Sequence, residues 1–207
     1  MSIRDPLGSR LSVRRRFVGS TFFCSTSLTG TISCPVPAGV DSCDIIAVGG
    51  GGGCWGGRGG SAGGMAIRRN KAVVPGQIIP GTIGQGSAAQ TEPDVKAGST
   101  TVDGMTAEGG LGCTTYGLGG AAYGGDINLN GGMTFNGNGG GLPSPAWIVT
   151  DPAATFNDSG GPYIHPSFKG RSGGPPELPG AGARYASFNS AGANGGIFFF
   201  WYVTEAV

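Results

Sequence analysis

The side chains that most often carry catalysis are scarce and scattered in this sequence. His165 is the single histidine, so any general acid or base role for an imidazole would rest on it alone. The twelve Asp and Glu residues are spread along the chain, whereas glycoside hydrolysis needs two facing carboxylates. We therefore expect a protein that is not an enzyme, and cleavage of a polysaccharide is the catalytic alternative that stays open.

The five cysteines do not have the spacing of a familiar zinc site. They contain no Cys-x-x-Cys pair, and the lone histidine is far from them in sequence. An odd number leaves at least one thiol free or bonded to another chain. We expect small buried hydrophobic side chains in a reducing compartment, with structural disulfides as the alternative. The cysteines are Cys24, Cys34, Cys43, Cys54 and Cys113.

Two further motifs could suggest a ligand. Asp126, Asn128 and Asn130 occupy positions 1, 3 and 5 of a calcium-loop pattern, but position 12 is Gly137 instead of the bidentate Glu. An Asn/Gly turn is the alternative that we favour. The glycines at 117–120 resemble a phosphate loop in composition only, because no strand-to-helix context surrounds them. The sequence thus predicts no metal and no cofactor.

Glycine dominates the elements that must position any site. The chain has 207 residues with 45 Gly, 14 Pro, 12% charged residues and a net charge of +1. An ordinary protein has roughly 7% Gly. Helices are disfavoured because each interior Gly costs about 1 kcal/mol relative to Ala. The longest strongly apolar run, 197–203, is far shorter than the roughly 20 residues of a membrane helix. We expect no membrane insertion and an ordered, nearly helix-free protein.

Short runs of β-branched and aromatic residues between turn residues predict strands. Asp103-Gly104 predicts a hairpin turn. The last run has large residues on both faces, so we expect a central, buried strand. The predicted strands are 17–23, 29–34, 43–48, 65–68, 71–74, 77–79, 82–83, 99–102, 105–107, 183–188 and 197–203. The sequence predicts an all-β fold.

Glycine pairs and runs, of which 49–53 is the longest, separate these strands. Free linkers of this composition are flexible coil. The alternative is a polyglycine-II arrangement, in which extended segments with three residues per turn pack side by side and only Gly lets the backbones come close enough. An ordered protein favours the second interpretation, because fixing Gly has the largest entropic cost.

Basic residues are concentrated at the N-terminus. Five of the thirteen, Arg4, Arg10, Arg14, Arg15 and Arg16, lie in the first sixteen positions. A solvated tail is one interpretation, and an arm that docks onto a partner is the other. An export signal is disfavoured, since no clean apolar core follows. We predict a basic docking arm at 1–16 and a single glycine-rich β domain at 17–207, with a loop insertion at 142–182.

A characteristic succession of motifs runs through residues 30–203. Val36-Pro37-Ala38-Gly39-Val40 precedes a strand that enters five glycines at 49–53. A Pro-Gly turn at Pro75-Gly76 and a Gly-Ser-Thr-Thr strand at 98–101 follow, and Gly195-Gly196-Ile197 opens the last strand. This order resembles the glycine-rich domain of bacteriophage tail-fibre and adhesin proteins.

The resemblance implies a virion protein with a β-sandwich core, whose variable loops between glycine segments contact a host surface receptor, a glycan or an outer-membrane protein. It implies no catalytic residues. Tyr and Trp are favoured binding anchors, although aromatic side chains that pin loops onto the core are the alternative. The candidate contacts are Tyr116, Tyr123, Trp147, Tyr163, His165 and Phe168.

The function that we expect is therefore that of a virion structural protein, a tail-fibre or tip component that mediates attachment to the host. Its other partners would be further virion proteins, bound through the arm, and copies of itself, with no nucleic acid. A capsid or tail decoration protein without receptor binding is the alternative. A depolymerase and a cellular glycine-rich wall protein are more distant ones.

Overall fold

The computed structural model describes residues 13–24, 28–54, 59–89, 95–112, 119–132, 179–180, 182 and 191–206. Within these residues the secondary structure consists of β-strands, turns and extended segments, with no helix and hence none that could cross a membrane. The strands are β1 (Val13–Phe23), β2 (Gly30–Pro35), β3 (Ser42–Val48), β4 (Met65–Ala72), β5 (Ile78–Ile83), β6 (Thr100–Val102), β7 (Met105–Ala107), β8 (Ala122–Tyr123), β9 (Ile127–Leu129) and β10 (Gly196–Ala206).

The strands form two antiparallel sheets. Sheet 1 has the order β1-β10-β3-β4-β9, and sheet 2 has the order β2-β5-β6-β7-β8. Alternate side chains of each strand point to opposite faces, and one face of each sheet is packed against the other sheet. The predicted all-β sandwich is confirmed.

The core lies between the sheets. Ile45, Phe199 and Trp201 of sheet 1 share one buried cluster with Ile83 and Met105 of sheet 2. The rings of Phe199 and Trp201 stack with their centroids 5.2 Å apart. The buried indole N–H of Trp201 donates a hydrogen bond to Thr21 Oγ1 at 3.0 Å, which satisfies its one polar atom and ties β1 to β10.

The prediction of a central last strand is confirmed. β10 pairs with β1 on one side and with β3 on the other. Its odd-numbered residues from Ile197 to Trp201 face sheet 2, and Phe198 and Phe200 are equally buried on the opposite face of sheet 1. Both faces of this strand therefore bury large apolar area.

The predicted hairpin is confirmed as well. β6 and β7 pair through Val102 and Met105, and the two residues between them have positive φ, 50° at Asp103 and 72° at Gly104. Positive φ at both central positions is the geometry of a type I′ turn, which matches the twist of a hairpin and which Asp-Gly adopts readily.

The run predicted as a strand at 65–68 and the first two residues of the one predicted at 71–74 lie in one strand, β4, which ends at Ala72 before Val73 and Val74. The register between β3 and β4 shifts between Cys43 and Ile45, and Asn70 has a φ of 51°. The carboxylate of Asp44 accepts the Asn70 N–H at 2.7 Å. This bond satisfies the donor at the irregularity, so the strand continues through it.

The segment predicted as an Asn/Gly turn contains a strand. β9 pairs with β4 through Ile127 and Leu129, whose side chains pack against the apolar cluster on the outer face of sheet 1. Burying these two side chains favours strand pairing over an isolated turn. The strand predicted at 183–188 lies outside the described residues.

Candidate functional site

Glycine segments leave the sandwich at the ends of strands from both sheets. Segment 49–53 follows β3, 84–88 follows β5 and 108–112 follows β7. Returning segments enter the next strands, 59–64 before β4 and 191–195 before β10. We call these segments, together with 95–98, 119–121, 131–132, 179–180 and residue 182, the glycine bundle.

The hydrogen bonds of segment 49–53 repeat with a period of three residues. The N–H of Gly49 donates to Gly64 O at 3.0 Å, and the N–H of Gly52 donates to Ser61 O at 2.8 Å, in the same returning segment. The residues between them bond elsewhere, Gly50 to Gly98 O and Gly51 to Ala193 O. A period of three residues per turn, without bonds inside the segment, is the geometry of a polyglycine-II helix.

The same three-residue step recurs between other segments. Ser61 and Gly64 donate to Leu111 O and Glu108 O at 2.7 and 2.9 Å. Gly192 and Gly195 donate to Ser87 O and Gly84 O at 2.9 and 2.8 Å. Each of these pairs is antiparallel, because a step forward along one segment is a step back along the other. The expected polyglycine-II packing is therefore present in the described segments.

Steric exclusion explains why these positions are glycine. A Cβ added to Gly49 would lie 2.1 Å from Glu108 O, and one added to Gly52 would lie 2.1 Å from Leu111 O. At Gly60 the distance to Gly52 O would be 1.9 Å. Real carbon and oxygen atoms do not approach so closely, so a side chain at any of these positions would force the segments apart.

Two polar side chains take the place of backbone acceptors in the bundle. Ser87 Oγ accepts the buried N–H of Gly53 at 2.7 Å. Asn194 Oδ1 accepts the N–H of Gly86 at 2.9 Å. Because an unpaired buried N–H is costly, these bonds complete the network where no carbonyl is available.

The end of the bundle remote from the sandwich is built from the last residues of three outgoing segments and the first of the returning ones. Ser87 Oγ accepts the N–H of Gly53 there, and the N–H of Gly112 donates to Val95 O at 2.9 Å. We call residues 53–54, 59–60, 88–89, 95 and 111–112 the bundle tip. Along the chain, the connections 55–58 and 90–94 start and finish at the bundle tip, and the connection 113–118 starts there and re-enters the bundle at Gly119, beside Gly131.

A family model for a glycine-rich domain matches residues 26–202, which include β2 to β9, the described bundle and most of β10. The chain belongs to this glycine-rich domain family. No curated protein matches the chain in sequence. β1 precedes the matched residues, although it forms one edge of sheet 1.

Only one of the candidate contact residues of this glycine-rich domain is described. Tyr123 lies on β8, with 55% of its surface exposed, on the outer face of sheet 2 and away from the bundle tip. The other five lie outside the described residues: Tyr116, Trp147, Tyr163, His165 and Phe168. Tyr116 belongs to the connection 113–118, which starts at Gly112 of the bundle tip.

Tyr123 stands at the end of a row that the sequence did not reveal. In sheet 2, Thr31 pairs with Thr82, and Thr82 pairs with Thr101. Thr101 pairs with Thr106, and Thr106 with Tyr123. We call these five residues the threonine row. Each comes from a different strand, so only the register of the sheet brings them together.

The predicted arm overlaps the sandwich. β1 begins at Val13, so Arg14, Arg15 and Arg16 are strand residues, and the boundary predicted after position 16 falls inside β1. The pairing of these residues with β10 explains the difference. Arg4 and Arg10 lie outside the described residues.

Two of the three strand arginines bind acidic side chains of the sheet. Arg15 Nη2 contacts Asp44 Oδ1 at 3.0 Å, and its guanidinium lies over the Tyr202 ring. Arg16 Nε contacts Glu205 Oε1 at 2.5 Å. Burial, with Asp44 nearby, raises the pKa of Tyr202 to about 12.

The described cysteines, Cys24, Cys34, Cys43 and Cys54, form no disulfide. Cys34 and Cys43 pack inside the core as small apolar side chains, which agrees with the predicted thiols. Burial raises their pKa values to about 11 and about 12, so thiolate formation is suppressed. Cys113 lies outside the described residues.

The calcium-like motif has a structural use. Asp126 Oδ2 accepts the N–H of Arg69 at 2.7 Å, and Asn128 exchanges hydrogen bonds with the backbone of Gly125. Among the described residues, no group of three or more His, Cys, Asp or Glu side chains is placed to hold a metal ion. These side chains bend the chain into β9 and pair it with β4.

Proposed function

We propose that this glycine-rich domain is a bacteriophage virion protein that mediates host attachment, with its contact loops presented at the bundle tip. The carrying observation is that two connections, 55–58 and 90–94, start and finish at the bundle tip, and that a third, 113–118, starts there. The order of sequence motifs, which resembles that of phage adhesin domains, supports the biological setting.

The bundle suits this role because most of the hydrogen bonds between its segments join backbone atoms. Gly49, Gly50, Gly51 and Gly52 each donate to a carbonyl of another segment. Side chains in the connections therefore do not contribute to these bonds, and the loops can change without loss of the scaffold. A rigid scaffold that carries variable loops is a common way to build a recognition surface.

The proposed partner at the tip is a host surface receptor, a glycan or an outer-membrane protein. Tyr116, within 113–118, is the aromatic residue from the candidate set that the chain connects to the tip. Aromatic anchors supply large contact area at low entropic cost. Trp147, Tyr163, His165 and Phe168 remain candidates within the insertion at 142–182.

Adsorption competition tests the proposal. Host cells are saturated with the purified full chain, and the fraction of phage that still adsorbs is counted. We expect strong blocking by the native protein and weak blocking by Tyr116→Ala. Val74→Ser is the matched control, because Val74 is 67% exposed in the turn at the opposite end of the sandwich. Absence of blocking by a folded native protein would refute receptor binding.

A decoration protein is the second candidate, and the edge of sheet 1 favours it. β1 is a terminal strand of 11 residues, on which Val18 and Phe22 are 42% and 44% exposed. A long edge strand with apolar side chains can pair with another copy or another virion protein. Labelling that placed the protein along the capsid or the tail shaft, combined with no adsorption blocking, would favour this function.

A further inference from the structure

The outer faces of the two sheets have opposite character. The outer face of sheet 1 is apolar, with Ile46, Ile67 and Phe198 at most 5% exposed. The outer face of sheet 2 carries the threonine row, in which Thr31, Thr82, Thr101 and Tyr123 are exposed and Thr106 is half-buried. Their neighbours along each strand, such as Ile32 and Val102, point into the core.

The threonine row crosses all five strands of sheet 2 in the order in which they lie side by side, β2-β5-β6-β7-β8. Neighbouring strands lie about 4.8 Å apart, so four steps give a line of polar side chains about 19 Å long. The four threonines line an open groove of about 330 Å³. This volume lies at the small end of the range for ligand sites, roughly 300–1,000 Å³.

The chemistry of the row is that of hydroxyl groups beside one aromatic ring. Each threonine hydroxyl offers one donor and two acceptor positions. Tyr123 adds an exposed ring with an apolar face next to Thr106. A saccharide chain has the matching features, with hydroxyls on successive rings and apolar C–H faces that stack on aromatic side chains.

Charge narrows the choice of ligand. No member of the row is charged. Asp103, which borders the groove, is compensated by Lys71 Nζ at 2.6 Å and Arg68 Nη1 at 3.3 Å. Nucleic acids and acidic polysaccharides are bound mainly through clustered Lys and Arg side chains, which the row lacks. A neutral polymer therefore fits this surface best.

Strand preference alone does not account for the row. Threonine is favoured in strands, and cross-strand threonine pairs stabilise sheets. A solvated sheet face also favours threonine over valine. Neither preference aligns threonines on four adjacent strands in one row that ends at an exposed tyrosine. We infer that the threonine row binds a neutral saccharide chain that lies across the strands, with one sugar ring stacked on Tyr123. This inference does not depend on the proposed role of the bundle tip.

Affinity electrophoresis of the full chain tests the inference. Native gels contain dextran, mannan or xyloglucan as neutral probes, or alginate as the acidic comparison. Thr101→Val/Thr106→Val removes two hydroxyls and keeps the side-chain shape, and Tyr123→Ala removes the ring. Thr29→Val is the matched control, because Thr29 is exposed and precedes β2. None of these substitutions changes the charge, so mobility in gels without polysaccharide stays the same.

We expect at least one neutral probe to retard the native protein and the control variant equally. Two lost hydrogen bonds should raise the dissociation constant of the double variant about tenfold, and Tyr123→Ala should weaken binding by a similar factor. An unfolding midpoint equal to that of the native protein would establish that the variants are folded. No retardation by any neutral probe, retardation by alginate alone, or unchanged binding by the folded row variants would each overturn the inference.

Discussion

The guanidinium of Arg15 lies 3.9 Å from the centroid of the Tyr202 ring while its Nη2 contacts Asp44 Oδ1 at 3.0 Å. The three residues come from β1, β10 and β3, so one side chain bridges three adjacent strands of sheet 1. Arg15 thereby anchors the edge strand that precedes the family-matched residues. In the described part of the chain, a basic residue first interpreted as part of a docking arm is a structural element of the sandwich.

Arg15→Met should lower the free energy of unfolding by about 1–2 kcal/mol, because it removes a cation–π contact and leaves Asp44 without its ion pair. Arg14→Met is the matched control, since Arg14 is the exposed neighbour in the same strand, and its effect should stay within about 0.5 kcal/mol. The midpoints of urea unfolding measure both changes, provided that the dependence of the unfolding free energy on urea concentration is the same for all three proteins. Equal effects of the two substitutions would contradict the bridging role of Arg15.

Gly52→Ala should destabilise the protein by more than about 4 kcal/mol, the range of exceptional core substitutions. The added Cβ would meet Leu111 O at 2.1 Å, and both partners are backbone held by other segments. Gly19→Ala in β1 is the control, because no heavy atom lies within 4 Å of its added Cβ. Soluble yield and thermal unfolding compare them, and a stable, soluble Gly52→Ala protein would disprove the close-packed bundle.

Stability should fall above about pH 9. Burial raises the folded-state pKa of Cys43 from 9.0 to about 12 and that of Tyr202 from 10.0 to about 12. Both groups are neutral when protonated, so their contribution is complete below the unfolded-state pKa and is lost as the pH rises towards the folded-state pKa. Unfolding free energies measured from pH 8 to 12 should decline across this range. Tyr202→Phe should reduce the decline of the unfolding free energy above pH 10. If the pH dependence of this variant equals that of the native protein, Tyr202 is not a source of the decline.

Thiol labelling should distinguish the core cysteines from the one at the edge. Cys34 and Cys43 are completely buried, and burial suppresses their reactive thiolates. Cys24, at the end of β1, is partly exposed. Iodoacetamide at pH 8 should therefore modify Cys24 in the native protein and reach Cys34 and Cys43 only after denaturation, as peptide mass spectrometry can measure. Rapid native labelling of Cys43 would contradict the described core.

Of the five arginines predicted to dock the protein, Arg4 and Arg10 precede β1, and the other three lie within it. Arg4→Ala/Arg10→Ala changes none of the described contacts of the sandwich, and thermal unfolding of the double variant establishes that it is folded. If these residues dock the protein onto the particle, the double variant should enter virions several-fold less than the native protein, as quantitative immunoblotting of purified particles would measure. Normal incorporation would remove the docking role and leave the arginines as a solvated tail.

Much of the architecture was predictable because its signals are local. The Asp-Gly pair at 103–104 has intrinsic access to positive φ, and the β10 residues carry apolar side chains on both faces. Other features depended on partners far along the chain. Arg15 is a strand residue because its strand pairs with β10. Ile127 is a strand residue because its strand pairs with β4. No local pattern contains those neighbours.

The sequence by itself determined the all-β class, most strand positions and the requirement for close glycine packing, because propensity, turn geometry and the absence of Cβ atoms belong to single residues and short runs. Only the tertiary structure decided which segments are neighbours. Gly51 bonds to Ala193 across 142 positions, and Thr31 joins Tyr123 through three intermediate strands. Such pairings depend on sheet register and on packing between segments that are distant in sequence. The bundle tip and the threonine row are therefore formed by the tertiary structure alone.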